Sequence, residues 1–85
     1  MELTIRVNLE EPVMSRQAAD ISSRMSEYKS RVLLRRRDTT VNAKSLMGLM
    51  SLGLSSGQAV TIIASGEDEA EAANALSVLL GTSGA

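Results

Sequence analysis

Apolar and polar positions alternate through the opening segment "LTIRVNLE", where Leu3, Ile5, Val7 and Leu9 interleave with Thr4, Arg6, Asn8 and Glu10. A period of two marks a strand with one buried face, so a strand is expected over 3–10. Glu11-Pro12 ends it, because proline has no N–H to give a sheet ladder. The period then changes. In "SRQAADISSRMSEY", Ala18, Ile21, Met25 and Tyr28 fall at helical spacing, and Arg16, Gln17, Asp20, Ser23, Arg24 and Glu27 cover the rest. An amphipathic helix over 15–28 is expected, with Ser15 as its N-cap.

"RVLLRRR" and "TTVN" read as two short strands joined around Arg37-Asp38-Thr39, with Val32, Leu34 and Val41 facing inward. In "KSLMGLMSLGL", Ser45 precedes an apolar run about two turns long, and Gly53 is a plausible C-cap. "SSGQ" is a turn. "AVTIIAS" is a strand with Val60, Ile62 and Ala64 on one face. "EDEAEAANALSVLL" is the last helix. Its acidic first turn suits the helix dipole, and Ala73, Leu76, Leu79 and Leu80 supply its buried stripe. "GTSGA" is expected to fray. The order βαββαβα in one domain, residues 1–85, implies an α+β fold: a four-stranded antiparallel sheet with its helices on one face.

Composition removes chemistry. The chain has no cysteine and no histidine. Thiol catalysis and zinc–thiolate sites are excluded, as are the commonest general base and the phosphohistidine intermediate. With no Trp or Phe and only Tyr28 among the aromatics, the core must be aliphatic. Asp20 and Glu27 lie on a solvated helix face, and "ASGEDEAE" is explained by a helix start, so no metal, cofactor or enzyme active site is indicated. The alternating, charged N-terminus is unlike a signal peptide and no apolar run could span a membrane, so a cytoplasmic protein without a membrane partner is expected.

Charge is uneven. All nine basic residues lie between Arg6 and Lys44, and four acids and no base follow Leu46. "RRR" at 35–37 has the sharper reading of a nucleic-acid contact. The net charge of −1 and the lack of an aromatic platform argue instead for a solvated strand end and no direct nucleic-acid partner.

One segment carries more than periodicity. "TVNAKSLMGLMSLGLSSG", residues 40–57, resembles the "VN-x-KS-[IL]-MG-[VL]-MSL" segment of HPr, the small phosphocarrier family of the bacterial sugar phosphotransferase system. "ASGEDEAEAANAL" resembles the last strand-to-helix junction of that family. The resemblance implies an open-faced β-sandwich, with three helices on one face of a four-stranded antiparallel sheet. It also implies two functional positions. The first is a histidine in "G-[IVL]-H-A-R-P", which takes phosphate from enzyme I. Here that motif becomes Pro12-Val13-Met14-Ser15-Arg16-Gln17: the arginine remains as Arg16, and Met14 occupies the histidine position. A thioether accepts no phosphoryl group, so phosphohistidine transfer is expected to be lost. The second is a regulatory serine, matched by Ser45, which a dedicated HPr kinase/phosphorylase modifies in Gram-positive relatives.

Five large apolar residues crowd the short helix. Leu49 and Leu52 are expected inward, leaving Leu46, Met47 and Met50 outward. Flexible methionines suit adaptable binding surfaces. By resemblance this patch, extended by Met14 and Arg16, would dock phosphotransferase-system proteins, the kinase and a LacI-type catabolite-control repressor. A subfamily, the catabolite-repression HPr-like proteins called Crh, likewise lacks the histidine and keeps the serine. The function implied is an HPr-like regulator controlled at Ser45 in carbon catabolite control. The alternative is an adaptor that binds without phosphorylation, or a diverged phosphotransferase-system component.

Overall fold

The opening alternation does build a strand. In the computed structural model, which describes residues 1–81, the elements are β1 (Glu2–Arg6), α1 (Ser15–Met25), β2 (Arg31–Arg36), β3 (Thr39–Asn42), α2 (Leu46–Ser51), β4 (Ala59–Ser65) and α3 (Glu69–Leu79). One antiparallel sheet has the order β1-β4-β2-β3. Register places Ile5 opposite Val60, and Leu34 between Ile62 and Val41. Ile5, Val7, Val32, Leu34, Val60, Ile62 and Ala64 are buried, so period two puts a single apolar face under the helices. The three helices supply Ala18, Ile21, Met25, Leu49, Ala72, Ala73 and Leu76 to the same core. The result is the expected α+β, open-faced sandwich.

Several boundaries differ from the periodic reading, each for a local reason. The strand expected over 3–10 ends at Arg6. Beyond it the chain still bonds but changes partners: Val7 N–H donates to Gln58, Asn8 N–H to Leu80, and Leu9 N–H to Ser56 Oγ. α1 ends at Met25 rather than Tyr28, because Glu27 and Tyr28 N–H groups turn back to Arg24 and Met25 in tighter three-residue bonds. In α3, Leu79 is only half-buried, whereas Ala72 and Ser77 are buried. The buried stripe runs through Ala72, Ala73, Leu76 and Ser77, and Leu79 packs against the core from its edge. Gly53 does follow the end of α2 with φ 60. Of the expected "GTSGA" tail, residues 82–85 lie outside the described residues; Gly81 itself donates its N–H to Val78.

"RRR" divides into three duties. Arg35 is exposed on the open sheet face. Arg36 reaches from β2 and donates from Nη1 to Leu52 O at 3.0 Å, satisfying a carbonyl at the end of α2. Arg37 takes φ 56 in the two-residue turn before β3.

A polar clasp holds the two loops at the other end of the sheet. Ser30 is 1% exposed. Its N–H and hydroxyl both donate to Asp68 Oδ1, at 2.9 and 2.5 Å, and Lys29 N–H donates to Asp68 Oδ2 at 3.0 Å. Asp68 N–H returns a bond to Ser30 Oγ at 3.2 Å. These donors stabilise the ionised carboxylate, the Ser30 hydroxyl most and the Lys29 N–H next, and lower its pKa from 3.8 to about 2. Glu69 is also lowered, first by the Gly66 N–H and then by the N-terminal ammonium. A carboxyl lowered in the folded state adds stability above its unfolded pKa and loses it as pH falls through the folded one. Thermal stability should therefore fall between pH 4 and about 2. Asp68→Asn should flatten that limb without abolishing it, since Glu69 contributes to the same limb; melting curves across this range measure it.

Candidate functional site

Two helix starts carry the residues singled out in the sequence. At the first, Val13 is buried and its N–H donates to Leu54 O at 2.8 Å. That anchor leaves Met14 as the last extended residue (φ −103, ψ −172), in the cap position. Ser15 is thus the first helical residue and not the N-cap, contrary to the expectation from residue type. The Met14 thioether is a weak acceptor and supplies no side-chain cap bond. Gln17 reaches back instead, accepting the Met14 N–H at 3.2 Å.

The electrostatics of this start are unusual. α1 has no acid in its first turn, whereas α3 has Glu69 and Glu71 there. Arg16 sits in the first turn of α1, exposed, at the pole where a cation is disfavoured. None of the ion pairs among the described residues engages it. A positive side chain, a positive helix pole and weakly capped N–H groups together favour an anion, yet the thioether at their apex cannot carry a transferable phosphoryl group.

The second start is built by a turn. Asn42 Oδ1 accepts the Lys44 N–H at 2.9 Å, and Asn42 O accepts the Ser45 N–H at 2.9 Å. Ala43, fully buried, continues the ladder by donating to Val32. Ser45 then caps α2: its Oγ accepts the Gly48 N–H at 3.1 Å. A Cβ at Gly48 would stand 3.1 Å from Val41 Cβ and 3.3 Å from Ser45 Oγ, so the glycine lets α2 settle on β3 around its cap. Lys44 neighbours Ser45 in sequence, but its ammonium donates to Tyr28 O at 2.7 Å, closing the end of α1. The roles of Asn42 and Gly48 were not read from the sequence. An Asn two residues before a Lys, entering a helix, was the available signal for the turn.

The outer side of α2 is apolar. Leu49 and Leu52 are 0% and 4% exposed, while Leu46, Met47 and Met50 are 38%, 76% and 41% exposed. Met14 is 64% exposed. α1 packs directly on α2, and the Val13–Leu54 bond fastens the residue before Met14 to the segment leaving α2. Among the described residues, no group of His, Cys, Asp and Glu could hold a metal ion, and no helix is long and apolar enough to cross a membrane.

This sandwich, with Arg16 in the first turn of one helix and a serine cap on another, is an HPr-like α+β domain. The family model described as "PTS HPr component phosphorylation site" matches residues 1–82, and the chain belongs to the PTS-HPr family. Within the family it is similar to HPr-like protein Crh. It is 46% identical to Crh of Bacillus subtilis (strain 168) over 68 residues, 80% of each chain. It is 38% identical to Crh of Halalkalibacterium halodurans over 76 residues, 89% of this chain and 90% of that one. Among solved structures, the phosphocarrier protein HPr of Bacillus anthracis superposes with a TM-score of 0.88 at 32% identity, covering 93% of this chain and 94% of the other.

Proposed function

We propose that this chain is a cytoplasmic HPr-like regulator that performs no phosphohistidine transfer and acts in carbon catabolite control through phosphorylation of Ser45. The observation that carries the reading is the pairing of an absent phosphoryl-accepting imidazole with a retained serine. Met14 stands at the start of α1 in a chain without histidine, while Ser45 caps α2 beside an exposed apolar patch. The kinship with Crh and HPr supports a carrier or regulatory role and no enzyme activity.

Phosphorylation would place roughly two negative charges at the start of α2. The phosphoryl oxygens can take over the Gly48 N–H that Ser45 Oγ now accepts. The HPr kinase/phosphorylase would supply the group. The modified protein would then dock a LacI-type catabolite-control repressor through Met14, Arg16, Leu46, Met47 and Met50, with the new anion as part of the interface. Other phosphotransferase-system proteins would meet the same surface.

Incubation with HPr kinase and ATP, followed by mass spectrometry, should add one phosphoryl group, mapped to Ser45. Ser45→Ala should add none and should also lose the helix cap, costing about 1 kcal/mol of stability. An unmodified Ser45 would overturn the regulatory reading. A phosphorylation-independent adaptor is the second reading, favoured by an apolar patch that is exposed without modification. It requires Ser45→Ala to bind the partner normally, where the corepressor reading requires binding to be lost.

A further inference from the structure

Three of the five methionines in the chain stand in the proposed docking surface. Met14, Met47 and Met50 are 64%, 76% and 41% exposed, whereas Met25 is fully buried in the core. Met1, also exposed, lies beside the start of β1, where its ammonium donates to Ala64 O. With no cysteine in the chain, these thioethers are its most readily oxidised side chains, and no thiol competes for the oxidant. The placement separates function from fold. Leu49 and Leu52 seat α2 on the core, so the methionine sulfurs can change chemically without disturbing that packing.

We propose that Met14, Met47 and Met50 form an oxidation site, at which peroxide converts the thioethers to sulfoxides and so closes the docking face. The proposal rests on the docking reading above. In each event the sulfur lone pair attacks one peroxide oxygen. The O–O bond breaks, an S–O bond forms, and the second oxygen leaves as water after proton transfer. Sulfur loses two electrons and peroxide gains them. Methionine sulfoxide reductase with a dithiol reverses the step, the oxygen leaving as water and the dithiol becoming a disulfide. A sulfoxide is a strong hydrogen-bond acceptor. Buried against an apolar partner surface, it is left unsatisfied.

The test treats the purified chain with hydrogen peroxide and maps the added oxygens by peptide mass spectrometry. Met14, Met47 and Met50 should each gain one oxygen, with Met25 unmodified and the melting temperature unchanged. Binding to HPr kinase should weaken, and the KM for Ser45 phosphorylation should rise by roughly tenfold with little change in kcat. Reductase treatment should restore both. Met1→Leu, produced by cleaving a leader placed ahead of residue 1, should show the same loss, which excludes the N-terminal methionine as its cause. The triple variant Met14→Leu, Met47→Leu, Met50→Leu, compared with itself before and after peroxide, should no longer respond. Concurrent oxidation of Met25, a fall in melting temperature, or unchanged kinase binding by the fully oxidised chain would overturn the site. Binding without phosphorylation of the untreated chain would overturn the Ser45 reading alone. An untreated chain that neither binds the kinase nor is phosphorylated would overturn both.

Discussion

Replacing Gly66 by alanine should cost about 2–4 kcal/mol and lower the melting temperature by roughly 10–25 °C. Two effects combine. Gly66 has φ 144, in a region of backbone space that side chains rarely enter. A Cβ there would also lie 2.7 Å from Ser30 Oγ and 2.8 Å from Ser30 Cα. Backbone cannot step aside as a side chain tip can, so relief would require displacing Ser30. Ser30 is the buried half of the clasp with Asp68, and moving it strains the bonds from its N–H and hydroxyl to the carboxylate. Gly53→Ala is the control. It has φ 60 and open space around the added carbon, so it should show only the backbone cost, about 1 kcal/mol. Thermal unfolding followed by circular dichroism separates the two variants; equal losses at both positions would show that the clash with Ser30 contributes nothing.

Met14→His should turn a chain inert to enzyme I and phosphoenolpyruvate into one that takes up an acid-labile phosphoryl group. The native chain should take up none, because the thioether at the start of α1 cannot hold a transferable phosphoryl group. The surroundings needed by a phosphoimidazole are largely present. Arg16 lies in the first turn, α1 has no first-turn acid to repel an anion, and the helix pole adds partial positive charge. Three departures from the family motif remain, Pro12, Ser15 and Gln17. Gln17 also holds the Met14 backbone N–H, so the added imidazole enters a start that is already fixed. The rate should accordingly stay below that of a phosphocarrier with the full motif. Labelled phosphate on the variant and none on the parent is the expected result; labelling of the parent would refute the loss of phosphotransfer.

The sequence exposed the elements of this fold more fully than their ends. Alternation in "AVTIIAS" and helical spacing in "SRQAADISSRM" are direct consequences of one buried face, so element type and order follow from them. Element ends depend on individual hydrogen bonds. Ser15 is a favoured cap residue by type, but the burial of Val13 and its bond to Leu54 set the helix start one residue earlier. Leu79 looks like core by hydropathy, but the positions that face the core are Ala72, Ala73, Leu76 and Ser77, which leaves Leu79 half-buried at the edge of the stripe. The clasp was invisible because Ser30 and Asp68 are ordinary loop residues 38 positions apart. Of the candidate site, the pattern alone revealed only that the short helix has too many large apolar residues to bury. The significance of Met14 and Ser45 came from the resemblance, since an exposed methionine and a capping serine have no distinctive period.

The strand order has a consequence for how the molecule is made. β1 is made before the other described elements, but it pairs only with β4, in a register that sets Arg6 against Ala59. β2 also needs β4 on one side. During translation β1 therefore waits with an unpaired, alternating edge while five elements follow it, and the four-stranded sheet closes only after Ser65 has been made. The nascent chain can form α1 and the β2–β3 hairpin locally, but its sheet is completed by a late, long-range event.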